Sequence, residues 1–229
     1  MDSSQNFLTP YYQRHNQRRQ EHLASLGLPI AGKTVLEVGS GIGDHTSFFI
    51  DRKCKVTSTD GRQELLGILQ ERHPQAATIL WNVELPPSEF IPKSQIVYAY
   101  GILYHTRNPQ SVLENLASLC TEMLLLETCV SFGDEELVNL TSETIGDPTQ
   151  ALQGTGCRPT RPWIFKSLKN LFPFVYLTRT QPWHEEFPVD WTNPAEKNEA
   201  GLSRSVFVAS RTQLCNPNLS TELLNYQGR

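Results

Sequence analysis

Three glycines at alternate positions, Gly39, Gly41 and Gly43, follow an apolar run in VLEVGSGIG (residues 35–43). Where a first strand meets its loop, a nucleotide-like cofactor needs close backbone approach, which glycine permits, and hydrogen bonds from the next helix N-terminus. A dinucleotide fingerprint would place another glycine three residues after Gly41, but Asp44 stands there and reads as the N-cap of that helix. Glu37, two residues before Gly39, can reach the loop or, through water, a cationic methionine amino group. That pairing suits S-adenosylmethionine better than a pyrophosphate. Asp60 closes the next apolar run, KVTSTD (residues 55–60), where a carboxylate can accept both hydroxyls of a ribose. Ser40 in the loop and Gly61 after Asp60 complete the expected contacts on this side.

Methyl transfer from a sulfonium is an in-line displacement, so an enzyme mainly aligns the acceptor and arranges for loss of its proton. His105 is the first candidate for that base, because imidazole titrates near neutrality and His105 follows the end of the fourth apolar run. The competing reading makes it a loop cap before Asn108 and Pro109. Glu127, ending the fifth run, is a second candidate, against a reading as a solvated or N-cap-bonded carboxylate.

The acceptor pocket is sought in the irregular segments, where binding residues concentrate. QPWHEEFPVDW (residues 181–191) gathers Trp183, His184, Glu185 and Glu186, a set that can enclose an amine or guanidinium by charge pairing and cation-π contact. The alternative is an ordinary acidic loop with tryptophans packed beneath it. GCRPTRPW (residues 156–163) adds Trp163, and Arg158 and Arg161, which can pair with those carboxylates or hold an anionic substrate. Tyr11, Tyr12 and Arg14 begin an N-terminal helix that either covers the site or exposes a polar face. No His-x-x-x-His, cysteine cluster or paired aspartates suggest a metal, and none is predicted.

Taken together, Glu37-x-Gly39-x-Gly41-x-Gly43 with Asp60 resembles the first two motifs of class I S-adenosylmethionine-dependent methyltransferases, over about residues 34–130. The resemblance implies that the residues closing the third strand contact adenine. Here Asn82 takes the place of the common Asp, and Val83 is expected to pack on the ring. GILYHTRNPQSVLENL (residues 101–116) followed by LLLETCV is similar to the tRNA uridine carboxymethyltransferase family. This narrower likeness implies that Tyr100, Gly101 and Ile102 line the methionine half of the cofactor, with Tyr104 and His105 near the transferred group. That family has a basic RNA-binding surface and an extra contact to a cofactor carboxylate. No basic stripe and no arginine suited to that contact stands out in this sequence.

These residues need a scaffold. Apolar runs alternate with helical patterns from residue 34 to 130, which predicts an α/β fold: a Rossmann-like, seven-stranded, mostly parallel sheet with helices on both faces and an antiparallel final strand. Length of 229 residues fits a single domain. Its parts are an N-terminal helical cover (1–30), a cofactor-binding half (31–130), a substrate-binding and sheet-closing half (131–215) and a frayed tail (216–229). Residues 131–162 read as an irregular lid or insertion.

Composition of 38% hydrophobic and 19% charged residues suits a globular chain, and the five cysteines form neither a metal pair nor a disulfide framework. No apolar run can span a bilayer and no signal peptide is visible, so a cytoplasmic protein without membrane association is expected. A net charge of -4 works against nucleic acid as a partner. The leading reading is a methyltransferase converting S-adenosylmethionine to S-adenosylhomocysteine while methylating a small molecule, at an amine nitrogen of a polar or cationic metabolite. O-methylation of a sugar or natural product, tRNA modification, and a non-catalytic cofactor-binding partner subunit stand as alternatives. The oligomeric state is left open.

Overall fold

Three helices begin on the same local device, a polar N-cap followed by proline in the first turn. Proline is pre-set for that turn, where its missing N–H costs nothing, and the cap side chain satisfies an orphan N–H. In the computed structural model, which describes residues 5–194 and 201–229, Thr9 caps α1 (Pro10–Ser25), Asn108 caps α4 (Pro109–Leu119) and Thr160 caps α5 (Arg161–Leu171). The shorter α2 (Thr46–Ile50) and α3 (Gln63–Arg72) follow the first two strands. Asp44 does not cap α2, whose N-cap is His45 without a side-chain bond. Asp44 instead accepts from Asn16 and pairs with Arg72, tying α1 and α3 to the loop.

The strands are β1 (Thr34–Val38), β2 (Lys55–Asp60), β3 (Ala77–Leu80), β4 (Ser94–Tyr100), β5 (Cys120–Cys129), β6 (Val138–Ser142), β7 (Thr155–Pro159), β8 (Phe174–Thr178), β9 (Arg204–Ser210) and β10 (Leu219–Ser220). Eight of them form one sheet in the order β10-β8-β9-β5-β4-β1-β2-β3. The β1, β2, β3, β4 and β5 pairings are parallel, and β9 enters antiparallel between β5 and β8. The sheet is the predicted mostly parallel one, with an eighth, two-residue strand added at its edge. That strand also corrects the frayed tail. β10 pairs with β8, and Trp191 and Gln227 then tie the last residues down through Asn225 O and Val189 O.

Alternate strand residues feed opposite layers. Leu36, Val97 and Leu124 point into a core under α4 and α5, while Val35, Ile96 and Leu125 join Phe49 and Leu23 on the α1 and α2 side. Residues 131–162 are more ordered than an irregular lid, because β6 and β7 form an antiparallel hairpin. No helix among the described residues is long and apolar enough to cross a membrane.

Candidate active site

Strand order reverses between β1 and β4, and in open α/β sheets the crevice beyond the strand ends at such a switch point receives ligands. A cavity of about 270 Å3 lies there, on the scale of small-molecule sites. The β1 loop forms its floor. Gly39 has φ of 68°, and a Cβ there would come within 2.8 Å of Ile102, so only glycine fits between strand end and neighbouring loop. Gly41 donates to Asp60 Oδ2 (3.0 Å), and Arg62 N donates to Oδ1 (3.0 Å), which fixes the Asp60 carboxylate at the cavity wall. Gly61, Asn82 and Val83 line the adjoining side, and Tyr100 and Gly101 the β4 end.

Glu37 and Ser40 lie on a smaller cavity that shares Tyr12, Arg19, Gly39, Gly41 and Tyr100 with the larger one. Burial pushes the Glu37 carboxyl up to about 7, against hydrogen bonds from Thr46 and Ser58. Gly43 lines neither cavity. It sits against Leu69 and His73, and its carbonyl meets His73 Nε2 at 2.9 Å, so its role is packing of the loop on α3.

Several buried polar atoms around these cavities make no hydrogen bond among the described residues: Arg19 Nε, Ser40 Oγ, Tyr100 Oη and His15 Nε2. Buried donors and acceptors without partners are costly, and this set would suit the carboxylate and amino group of a methionine moiety. The residues present therefore fit S-adenosylmethionine, whose ribose Asp60 would hold, whose base Val83 and Asn82 would meet, and whose amino-acid end Arg19 and the β1 loop would receive.

α1 lies along the cavity, which its Tyr12, His15 and Arg19 line; of these the sequence had marked Tyr12 alone. His15, Asn16, Arg19, His22 and Leu23 are its buried residues; His15, Asn16 and Arg19 line the cavities, while His22 meets Thr180 O and Leu23 joins the apolar core. That spacing was a usable signal. Tyr11 and Arg14 lie outside the cavity. Tyr11 Oη donates to Glu186 (2.5 Å), and Arg14 makes a forked, exposed pair with Glu185.

Tyr104 and His105 line the opposite wall. Tyr104 is flanked by two arginines, Arg158 with its guanidinium carbon 5.0 Å and Arg204 4.8 Å from the ring centroid, and Arg204 donates to Tyr104 Oη at 3.1 Å. Burial pushes the Tyr104 hydroxyl pKa up despite that charge. Of these two arginines Arg158 stood among the sequence candidates, whereas Arg204 did not. β9 runs antiparallel to β5, so its first residue, Arg204, lands beside Cys129 at the same strand ends as the cavity. His105 Nδ1 lies 2.5 Å from the Glu143 carboxylate on the β6–β7 hairpin, a partner that no sequence pattern marked.

Other expectations on this side are overturned. Glu127 is fully buried and outside the cavity, neither solvated nor capping a helix, because Arg19 and Arg204 both bind its carboxylate. The acidic loop does not enclose the cavity: Arg204 and Tyr11 take up Glu186, Arg14 takes up Glu185, and Trp183 is 69% exposed. His184 is buried beneath, with Nδ1 accepting from Glu186 N. Arg161 lies over Trp191 at 4.0 Å and donates to Leu224 O, and Trp163 packs against the core beside α4 and α5. Residues 195–200 of this connection lie outside the described residues. Ligand atoms of His15, His184 and Glu186 come within 4.8 Å of one another, but the Glu186 carboxylate already answers Arg204 and Tyr11.

No protein-family model matches the chain. A curated relative, a tRNA U34 carboxymethyltransferase of Shewanella denitrificans, is 29% identical over 143 residues, covering 57% of this chain and 40% of the relative. A protein of the same description from Shewanella piezotolerans is 28% identical over 64% of this chain and 47% of its own length. The chain thus spans less than half the length of these curated relatives. Among solved structures, the N-terminal domain of EvdMO1, crystallised in the presence of S-adenosylhomocysteine and D-fucose, superposes with a TM-score of 0.64 at 18% identity, over 88% of this chain and 84% of that one. The magnesium protoporphyrin IX methyltransferase of Synechocystis PCC 6803 with bound S-adenosylmethionine gives 0.58 at 14% identity, over 88% and 80%. A Burkholderia thailandensis 1,6-didemethyltoxoflavin-N1-methyltransferase gives 0.55 at 18% identity, over 89% and 80%.

Proposed function

We propose that this chain, whose fold is that of the class I S-adenosylmethionine-dependent methyltransferases, binds S-adenosylmethionine and methylates a small molecule at nitrogen or oxygen, releasing S-adenosylhomocysteine. The observation that carries the reading is the cavity at the β1–β4 switch point, where the glycine loop and Asp60 meet the unpartnered Arg19 Nε and Tyr100 Oη. When bound, the cofactor supplies an electrophilic methyl on a sulfonium. The protein's share is alignment: Asp60, Asn82 and Val83 hold the nucleoside, the β1 loop and Arg19 of α1 hold the amino-acid end, and Tyr104 and His105 face the acceptor. A preference for cationic amines no longer has support from Glu185 and Glu186, which serve α1 and β9.

Calorimetry with S-adenosylhomocysteine tests the cofactor half, and undetectable binding would sink it. Incubation with labelled S-adenosylmethionine and extract fractions of small metabolites, RNA and protein tests the acceptor half; label confined to RNA would refute it.

A second reading, carboxymethyl transfer, is favoured by one observation: Arg158 and Arg204 flank Tyr104, where a carboxylate on the transferred carbon would sit. The likeness to tRNA U34 carboxymethyltransferases supports it. Tighter binding of a carboxymethyl sulfonium analogue than of S-adenosylmethionine, lost in Arg158→Ala, would select this reading.

A further inference from the structure

We propose that Glu143 is a positioning residue that makes His105 Nε2 a proton acceptor, so that the acceptor molecule carries a dissociable proton on its nucleophilic atom, as a hydroxyl or N–H group does. The inference rests on the methyl-transfer reading of the same cavity.

Glu143 sits where the hairpin closes, its N–H bonded to Gly154 O (2.9 Å). Its side chain is 3% exposed, and the carboxylate accepts from His105 Nδ1 (2.5 Å) and Ala151 N (2.7 Å), with Arg158 at 3.4 Å. Burial works to raise its pKa, but His105, Ala151 and Arg158 together hold it below the usual carboxylate range. An ionised carboxylate only accepts. The proton between the two groups therefore belongs to Nδ1, and Nε2 keeps its lone pair. His105 lines the cavity, and its Nε2 makes no hydrogen bond among the described residues.

Packing enforces this contact. A Cβ on Gly156 of β7 would come within 2.5 Å of both Glu143 Oε1 and the Tyr104 carbonyl oxygen, so the absent side chain lets the hairpin press its carboxylate against the Tyr104–His105 turn. The imidazole is held from the other side by the Tyr104 ring, centroids 3.9 Å apart.

As the acceptor atom forms its bond to the methyl carbon, the carbon–sulfur bond breaks with its electron pair passing to sulfur. The acceptor's proton passes to His105 Nε2, and the resulting imidazolium lies against the Glu143 carboxylate. An oriented imidazole with a carboxylate behind it serves the same purpose in nucleophilic triads. The charged and titratable groups facing His105 are Glu143 from the hairpin, Arg158 from β7, Arg204 from β9 and the neighbouring Tyr104. Burial lowers the His105 pKa below its ordinary value, the two arginines assist, and Glu143 opposes. Histidine is then neutral at physiological pH, the form that accepts a proton.

The test is nitrogen-15 NMR of the full chain, with and without S-adenosylhomocysteine, assigning His105 through His105→Gln. The wild type is expected to carry the proton on Nδ1. Glu143→Gln should lower the His105 pKa by about 1 pH unit or more, since an opposing charge in contact is removed, and should shift the proton toward Nε2, while Glu143→Asp restores part of the effect. A wild-type proton on Nε2, or a Glu143→Gln variant with unchanged tautomer and pKa, would overturn the proposal. The wild-type measurement decides even if a variant fails to fold. Failure of S-adenosylhomocysteine to bind, read separately by calorimetry, would instead strike the cofactor reading on which the acceptor class depends.

Discussion

The floor of the cavity, from the glycine loop to Asp60, is made by neighbouring strand ends close together in the chain. The opposing wall draws Arg19 from α1, Glu143 and Arg158 from the hairpin, and Arg204 from β9. The floor works through backbone geometry and single carboxylates. The wall works through buried charges that compensate one another: Arg19 and Arg204 share Glu127, Arg204 also meets Glu186, and Arg158 meets Glu143. The difference teaches that the glycine loop and Asp60 can be specified locally, whereas the opposing wall, and the approach of Arg19 to the amino-acid end of the cofactor, exist only when distant segments are brought together.

Perturbing the wall should therefore endanger the whole fold. Arg204→Ala leaves Glu127 and Glu186 buried without a partner they now have, and breaking a buried pair costs about 3–5 kcal/mol. Chemical denaturation should register that loss; a change below about 1 kcal/mol, the size of an exposed pair, would erase the contrast between the two regions.

Perturbing the floor should spare stability more than binding. Asp60→Ala is expected to weaken S-adenosylhomocysteine roughly 100-fold by calorimetry, the loss of one or two hydrogen bonds to a charged group. Equal affinity would remove the ribose assignment and leave the glycine loop without its acidic partner.

Glu37 sharpens the comparison through pH. With its carboxyl pushed up to about 7 by burial, the ionised form that attracts a methionine ammonium is lost as pH falls through 7. Affinity for S-adenosylhomocysteine should therefore drop between pH 8 and 6, by at most about tenfold per pH unit, and Glu37→Gln should flatten that dependence. The stability sign is opposite. A raised carboxyl contributes stability at low pH that is lost as pH rises through 7, so at pH 8 Glu37→Gln is expected to be no less stable than wild type.

The smallest effect is expected outside both regions. Glu185→Gln removes an exposed pair with Arg14, which is worth less than about 1 kcal/mol, and the Michaelis constant for an acceptor should stay unchanged. A marked rise would return the acidic loop to the site.

The sheet and the cofactor floor were legible because strands and their loops repeat a local pattern. Apolar runs alternate with helices, and Gly39, Gly41 and Asp60 must stand where strands end. The Tyr104–His105 turn was legible through its likeness to a known family. Misreadings cluster where a residue's partner is far away. Glu127 reads as a free carboxylate until Arg19 arrives from α1, and Glu186 reads as a substrate ligand until β9 delivers Arg204. The eighth strand was missed because two residues carry no periodicity.

Sequence alone determined the order of elements, the glycine loop and its acidic partners, since these follow from steric freedom at single residues and from apolar repeats. Tertiary structure decided which charges face the cavity. Antiparallel entry of β9 places Arg204 at the site, and the absent side chain of Gly156 lets Glu143 reach His105. Ion pairing depends on distance in space, and distance between segments remote in the chain is set only once the sheet has formed.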